Sequence, residues 1–307
     1  MTRFRVRHET SYTYHTPVDL GLHVLRVTPL TMIGQRSLAY DLAIVPEPAR
    51  IHSFVDHFGN IVHHVAVETT HDRFSATFNA LVELDRTATR DPGPPWEAVR
   101  DAMRGDGFPA RAQIWEFTYP SPLAPIEDAA TLYAEESFDA GRPIVAALRD
   151  LATRIHRDFL YRPNSTTVAT QVAEVLAIRR GVCQDFAHLM ISGLRGLGLP
   201  ARYVSGYLHT RSADPAGSQR LGADASHAWV SAWCGEELGW VGVDPTNDLL
   251  VADEHVVAAH GRDFADATPL HGVILGGGAH ALGVAVEVVT VDDDADREGN
   301  AGENRPV

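Results

Sequence analysis

Three short segments hold the residues of this chain that could do chemistry. Gly181-Val182-Cys183-Gln184-Asp185-Phe186-Ala187-His188, Ser226-His227-Ala228-Trp229 and Val243-Asp244-Pro245-Thr246 supply a thiol, an imidazole and a carboxylate in that order. A thiol becomes a working nucleophile when a base takes its proton and a third group orients the base. The chemistry this points to is acyl transfer through a thioester.

Each residue also has an ordinary explanation. Cysteine is among the most buried residue types, so Cys183 can simply fill a core. His227 is one of 16 histidines, and Asp244 before Pro245 is a common turn signal. The pattern around them weighs against coincidence. Cys183, Phe186, Ala187, Met190, Leu194 and Leu197 recur at spacings of three and four, and Gly198-Leu199-Pro200 ends the run. Cys183 therefore opens a helix, where unpaired N–H groups and the positive end of the dipole favour thiolate. On an alternating strand His227, Trp229, Ser231 and Trp233 share one face, which turns Cys234 to the other. Cys234 is thus expected in the core, unbonded to Cys183. Asp244 closes the next apolar run, where a short turn places it beside the imidazole. Asp185 is expected as a cap or a group on the substrate side, since a charge facing the sulfur would oppose thiolate.

Positioning these groups requires helices and a sheet. Arg3 to Tyr14 alternates as a half-buried strand, and similar runs follow at 22–27, 38–45, 61–68 and 74–84. Short strands with turn signals predict a small antiparallel β-sandwich over residues 1–85. Asp91-Pro92-Gly93-Pro94-Pro95 marks residues 86–120 as a linker. Residues 121–291 then read as a catalytic core of α+β class. Its helices fall at 126–136, 143–159 and 170–180, with Thr170 as a cap and Gly181 as the left-handed stop. Its strands are expected at 201–208, 225–234, 239–243 and 282–291 in one sheet. Residues 292–307 are acidic, nearly devoid of apolar side chains and expected to be disordered.

The chain has 307 residues, 45% hydrophobic and 21% charged, with a net charge of -14. The acidic balance excludes a phosphate-backbone partner, so no nucleic acid is expected. Two cysteines and no CxxC pair exclude a disulfide framework and structural zinc. His52, His57, His63 and His64 do not share a face, so no metal is expected there. No apolar run suits a signal peptide or a membrane span, and the expectation is a cytoplasmic protein without membrane contact.

The segments from Arg180 to His188, Leu199 to Tyr207, Ser226 to Trp229 and Asp244 to Asn247 resemble the transglutaminase-like superfamily of papain-type cysteine enzymes. The resemblance is to its bacterial branch with an extra N-terminal β domain. It implies a transglutaminase/papain-like core with helices packed on an antiparallel sheet. It also implies Cys183 as nucleophile, His227 as base and then acid, and Asp244 as the residue orienting His227. Relatives place an oxyanion donor upstream of the nucleophile, which makes Tyr161 and Asn164 the candidates. A thiol-dependent amidase or peptidase acting on a peptide or protein amide is expected, without a cofactor. Acyl transfer to amines and a non-catalytic peptide-binding role are the alternatives. Bacterial relatives are often linked with peptide-ligase-type proteins, which adds such a partner to the expectations. Specificity would reside in loops such as 210–223.

Overall fold

The computed structural model describes residues 1–104, 108–210, 221–222 and 225–291. The acidic tail and most of the 210–223 loop lie outside these. The N-terminal region is built on β1 (Thr2–Leu25), followed by β2 (Gln35–Val45), β3 (Arg50–Val55), β4 (Ile61–Val67) and β5 (His71–Leu84). β1 serves two half-sheets. Its first half pairs with β5, and after a register break between Thr13 and Val18 its second half pairs with β4. The alternation sends Phe4, Val6, Val18 and Leu25 into one core with Val65, Val67, Phe74 and Phe78.

Residues 86–120 are more than a tether. They carry α1 (Trp96–Ala102) and α2 (Phe108–Trp115), and Trp96, Val99 and Phe117 are buried. The prolines have a local use: Pro92 and Pro94 carbonyls accept the Val145 and Ile144 N–H groups at the start of a later helix. Proline lacks a donor but keeps its acceptor, and a helix N-terminus needs acceptors.

The helical layer continues with α3 (Asp128–Glu135), α4 (Ile144–Asp158), α5 (Val172–Ile178) and α6 (Cys183–Gly196), with β6 (Leu160–Tyr161) and β7 (Arg180–Gly181) forming a two-stranded parallel ribbon. On α4 the expected stripe of Ile144, Ala147, Leu148, Leu151 and Ile155 is buried. α5 is capped differently from the expectation. Gln171, not Thr170, is its N-cap, and Arg179 rather than Gly181 takes the left-handed position, with φ 51°.

The second sheet contains β8 (Ala201–Leu208), β9 (His227–Trp233), β10 (Trp240–Asp244), β11 (Leu249–Leu250) and β12 (His255–Gly261), in the order β11-β10-β9-β8-β12. α6 packs its buried length against β8 and β9 over a core that includes Ala228, Val230, Ala232 and Cys234. After α7 (Phe264–Ala267) come β13 (Leu270–Gly276) and β14 (His280–Thr290). Here the strand expected at 282–291 departs from its predicted sheet. β14 pairs with β1 from Phe4 to Tyr14, and β13 pairs with the second half of β1. Alternation defines a strand but not its partner, and β1 offered a free edge on the side away from β5 and β4.

β12 forms the outer edge of the second sheet, and the N-terminal region covers it. Gln35 bonds the Val257 N–H and C=O, and Asn60 bonds the His260 N–H and C=O. Two buried side-chain amides thus take the place of a neighbouring strand. Among the described residues no helix is long and apolar enough to cross a membrane.

Candidate active site

Cys183 is the first residue of α6 and is partly buried against the helical core. Asp185, two positions on, bends back to the N-cap. Its Oδ2 accepts the Val182 N–H at 2.7 Å and the Thr166 hydroxyl at 2.6 Å. Burial pushes its carboxyl up, and these two bonds pull it down. Asp185 is therefore a cap for the helix that carries the thiol. Gly181 makes this possible, because a Cβ there would lie 2.7 Å from the Asp185 carboxylate. That close approach, rather than a left-handed stop, is what requires glycine.

His227 begins β9 and Asp244 ends β10, both fully buried. His227 Nε2 donates to Asp244 Oδ2 at 2.8 Å. The carboxylate is held from every side. Its Oδ2 also accepts from Asn247 Nδ2 at 2.8 Å and His255 Nε2 at 3.3 Å, while its Oδ1 accepts the N–H groups of Thr246 and Asn247. Burial would raise the Asp244 carboxyl, but the His227 charge and these bonds hold it far below the ordinary carboxylate range. Burial likewise lowers His227, yet Asp244, with a hydrogen bond and charge from Cys183, lifts it to about 10. Among the described residues His227 Nδ1 has no nitrogen or oxygen partner, and this is the ring atom left for the thiol. Gly222 closes over that atom: with φ +82° it brings its Cα so near that a Cβ would lie 2.6 Å from Nδ1.

The structure therefore brings Cys183, His227 and Asp244 together. Cys234 points into the core on the other face, fully buried, with its thiol pushed up to about 12 by burial. Tyr161 sits in β6 opposite Gly181 and lines a cavity of about 450 Å³ with Arg179, Phe186, Leu221 and Thr246. Asn164 is exposed in the following loop with φ 61°. Arg202 lies beside an aromatic ring. Its guanidinium stacks on Trp240 at 4.3 Å. Arg262 pairs with Asp266, and Asp263 caps α7. His63 is held by Thr28 and Ser53, and His57 by Glu116, apart from each other.

Known proteins share this organisation. The family described as the bacterial transglutaminase-like N-terminal region matches residues 4–83, and the transglutaminase-like superfamily matches residues 133–245. An uncharacterized protein of Mycobacterium tuberculosis is 41% identical over 302 residues, covering 95% of this chain and 94% of its own length. The chain belongs to the transglutaminase-like superfamily. A candidate cysteine protease from Cytophaga hutchinsonii has the same fold, with a TM-score of 0.74 at 24% identity over 95% of this chain and 92% of that one. A protein-glutamine gamma-glutamyltransferase of Pseudomonas aeruginosa is 38% identical over 116 residues, covering 37% of this chain and 16% of that protein.

Two residues of this transglutaminase-like protein's site escaped the sequence reading of roles. Asn247 stood in the Asp-Pro-Thr-Asn segment without one, and His255 lies on a strand that was not expected at all. His255 is buried, and burial lowers it despite Asp244, so the ring is neutral and donates its Nε2 hydrogen. His227, Asp244 and His255 also form a trio whose ligand atoms lie within 4.8 Å of one another. The Nε2 atoms of both imidazoles in that trio are committed to Asp244 Oδ2.

Proposed function

We propose that this protein is a thiol-dependent amidase or peptidase that works through Cys183, His227 and Asp244. The observation that carries this reading is the fully buried His227–Asp244 pair, whose free imidazole nitrogen is left for the only partly exposed thiol. The Cys183 sulfur attacks an amide carbonyl of a peptide or protein. His227, protonated in the pair, passes its proton to the departing amine, and the C–N bond breaks to leave a thioester on Cys183. Water activated by His227 then adds to the thioester, which collapses to the acid and restores the thiol. The developing oxyanion is served by the Cys183 N–H at the start of α6, with Tyr161 as the second donor candidate.

An amine that reaches the thioester before water gives transamidation. The similarity of 116 residues to a protein-glutamine gamma-glutamyltransferase favours this second reading. Both share the thioester, so one experiment separates them. A peptide library is incubated with the protein, with and without added amine, and read by mass spectrometry. Hydrolysis leaves products 1 Da heavier at a side-chain amide or cleaved at a backbone amide, about the shift expected for exchange of NH2 for OH. Transfer adds the mass of the amine. Cys183→Ala abolishes both, and turnover that survives this substitution refutes the proposal.

A further inference from the structure

Behind the His227–Asp244 pair, on the face of the second sheet turned away from α6, lies a separate cavity of about 610 Å³. Its walls come from strands β8, β9, β10 and β12 of the second sheet with the β9–β10 turn, from the turn before β2, and from Arg86, Thr87 and Thr89 after β5. Its volume falls in the range of small-molecule sites.

The lining has two chemical characters. Trp229, Trp233 and Trp240 supply three of the five tryptophans of the chain, and Trp233 and Trp240 pack edge to face at 5.7 Å. Ile33, 96% exposed, stands at the rim. Against this apolar wall are two arginines with uncommitted donors. The Arg202 guanidinium carbon sits over the Trp240 ring, 4.3 Å from its centroid, and the side chain makes no hydrogen bond or ion pair with any described residue, its Nε being buried. Arg86 gives one N–H to the His255 carbonyl at 3.4 Å and leaves its other terminal nitrogen buried without a partner. Burial alone lowers the basicity of both, to about 9 for Arg202, and among the described residues neither is in an ion pair, Glu237 being exposed where it lines the cavity. His260 Nδ1 adds a third buried nitrogen without a partner among the described residues.

Buried cations are almost always paired, because an unpaired one forfeits its hydration. A guanidinium stacked by its face keeps its N–H edges in the ring plane, where a carboxylate accepts two of them at once. The tryptophans offer an apolar, ring-sized surface beside those edges. We propose that this cavity is a second binding site, which takes a small carboxylate carried on an apolar ring, with the anion on Arg202 and Arg86 and the ring on the tryptophan wall. The site is distinct from Cys183 and does not depend on the function proposed above. It shares one wall with the catalytic pair, since the Trp229 ring lies 6.0 Å from His227 and 5.2 Å from His255.

Calorimetric titration of the whole chain with 2-naphthaleneacetate and, separately, the neutral 2-naphthaleneacetamide tests the site. The two differ only in the charged group. The acid is expected to bind at a single site about tenfold or more tighter than the amide, the scale of one charge-assisted contact. Arg202→Gln removes the preference, and Cys183→Ala leaves both affinities unchanged. Because Arg202 is packed on Trp240, the exposed Ile33→Glu serves as a second variant that leaves the interior intact. It brings a carboxylate to the rim and weakens the acid several-fold with little effect on the amide. Equal binding of acid and amide, or no binding at millimolar ligand, overturns the proposal. So does a preference that persists in folded Arg202→Gln, or in Ile33→Glu should Arg202→Gln fail to fold. Loss of binding in Cys183→Ala would move the ligand to the catalytic cleft and overturn it as well.

Discussion

At His227 two opposing effects meet, and the pH dependence of the protein follows from which one wins. Burial disfavours the charged ring, while Asp244 and Cys183 favour it, and the balance lies at about 10. The folded value is above the unfolded one of about 6.5, so the charged ring stabilises the fold fully below that pH and ceases to as pH rises through about 10. Amide turnover is expected to fall over the same upper range, because the leaving amine loses its proton donor. Alkylation of Cys183 by iodoacetamide should persist there, since it needs only thiolate; loss of both together would contradict the assignment. Asp244→Asn is expected to lower kcat about a thousandfold or more, the scale seen when an orienting carboxylate is neutralised. His255→Phe removes one of the bonds that hold Asp244 and should lower kcat by about tenfold or less at constant KM. A chelator should leave turnover unchanged, and inhibition reversed by added metal would convert the trio into a metal site. Cys183, His227 and Asp244 were legible because three residue types with one joint chemistry fell on elements with readable periodicity. His255 was not. It is one histidine among many, on a strand rich in small alanines whose partner could not be read locally.

Among the elements, β12 shows how the edge of the second sheet is finished by side chains. Gln35 and Asn60 bond the edge of the strand whose first residue, His255, reaches Asp244. Gln35→Ala strips the Val257 N–H of its side-chain partner and leaves the Val257 C=O with the Leu30 N–H, and a loss of about 1–3 kcal/mol in chemical denaturation is expected. Gln35→Glu is a sharper test, because its carboxylate can accept from Val257 N–H but cannot donate to the Leu30 and Val257 carbonyls. No loss in either variant would mean the edge is satisfied another way. Helices were easier to foresee than strand partners, since a stripe such as that of α4 is a local property and pairing is not. The stop of α5 illustrates the limit. Gly181 carried the composition of a cap, yet its small size serves the Asp185 carboxylate, and Arg179 makes the turn. Residues 86–120 were misjudged for a related reason: the prolines that disqualify a strand still present carbonyls to α4.

Over the whole molecule, the two recognisable regions are interleaved. The N-terminal sheet is completed by β13 and β14, which follow the second sheet in sequence, and Tyr207 of β8 reaches across to His8 and the Val27 carbonyl. The general class was legible, from alternating strands followed by helices around the thiol. The return of the last strands was not, because an edge of β1 is open or closed only in three dimensions. A fragment of residues 1–90 is expected to lack cooperative unfolding, whereas a sharp transition in that fragment would show that the first five strands suffice. The order of synthesis gives this interleaving a further meaning. Chain growth at about 5–20 residues per second leaves β1 waiting on the order of tens of seconds for its last partners. Throughout that interval a strand of 24 residues presents backbone donors and acceptors to any other nascent chain. β1 is thus enclosed only after β13 and β14 have been made, and the yield in the cell should depend on holdase chaperones that shield β1 until those two strands arrive.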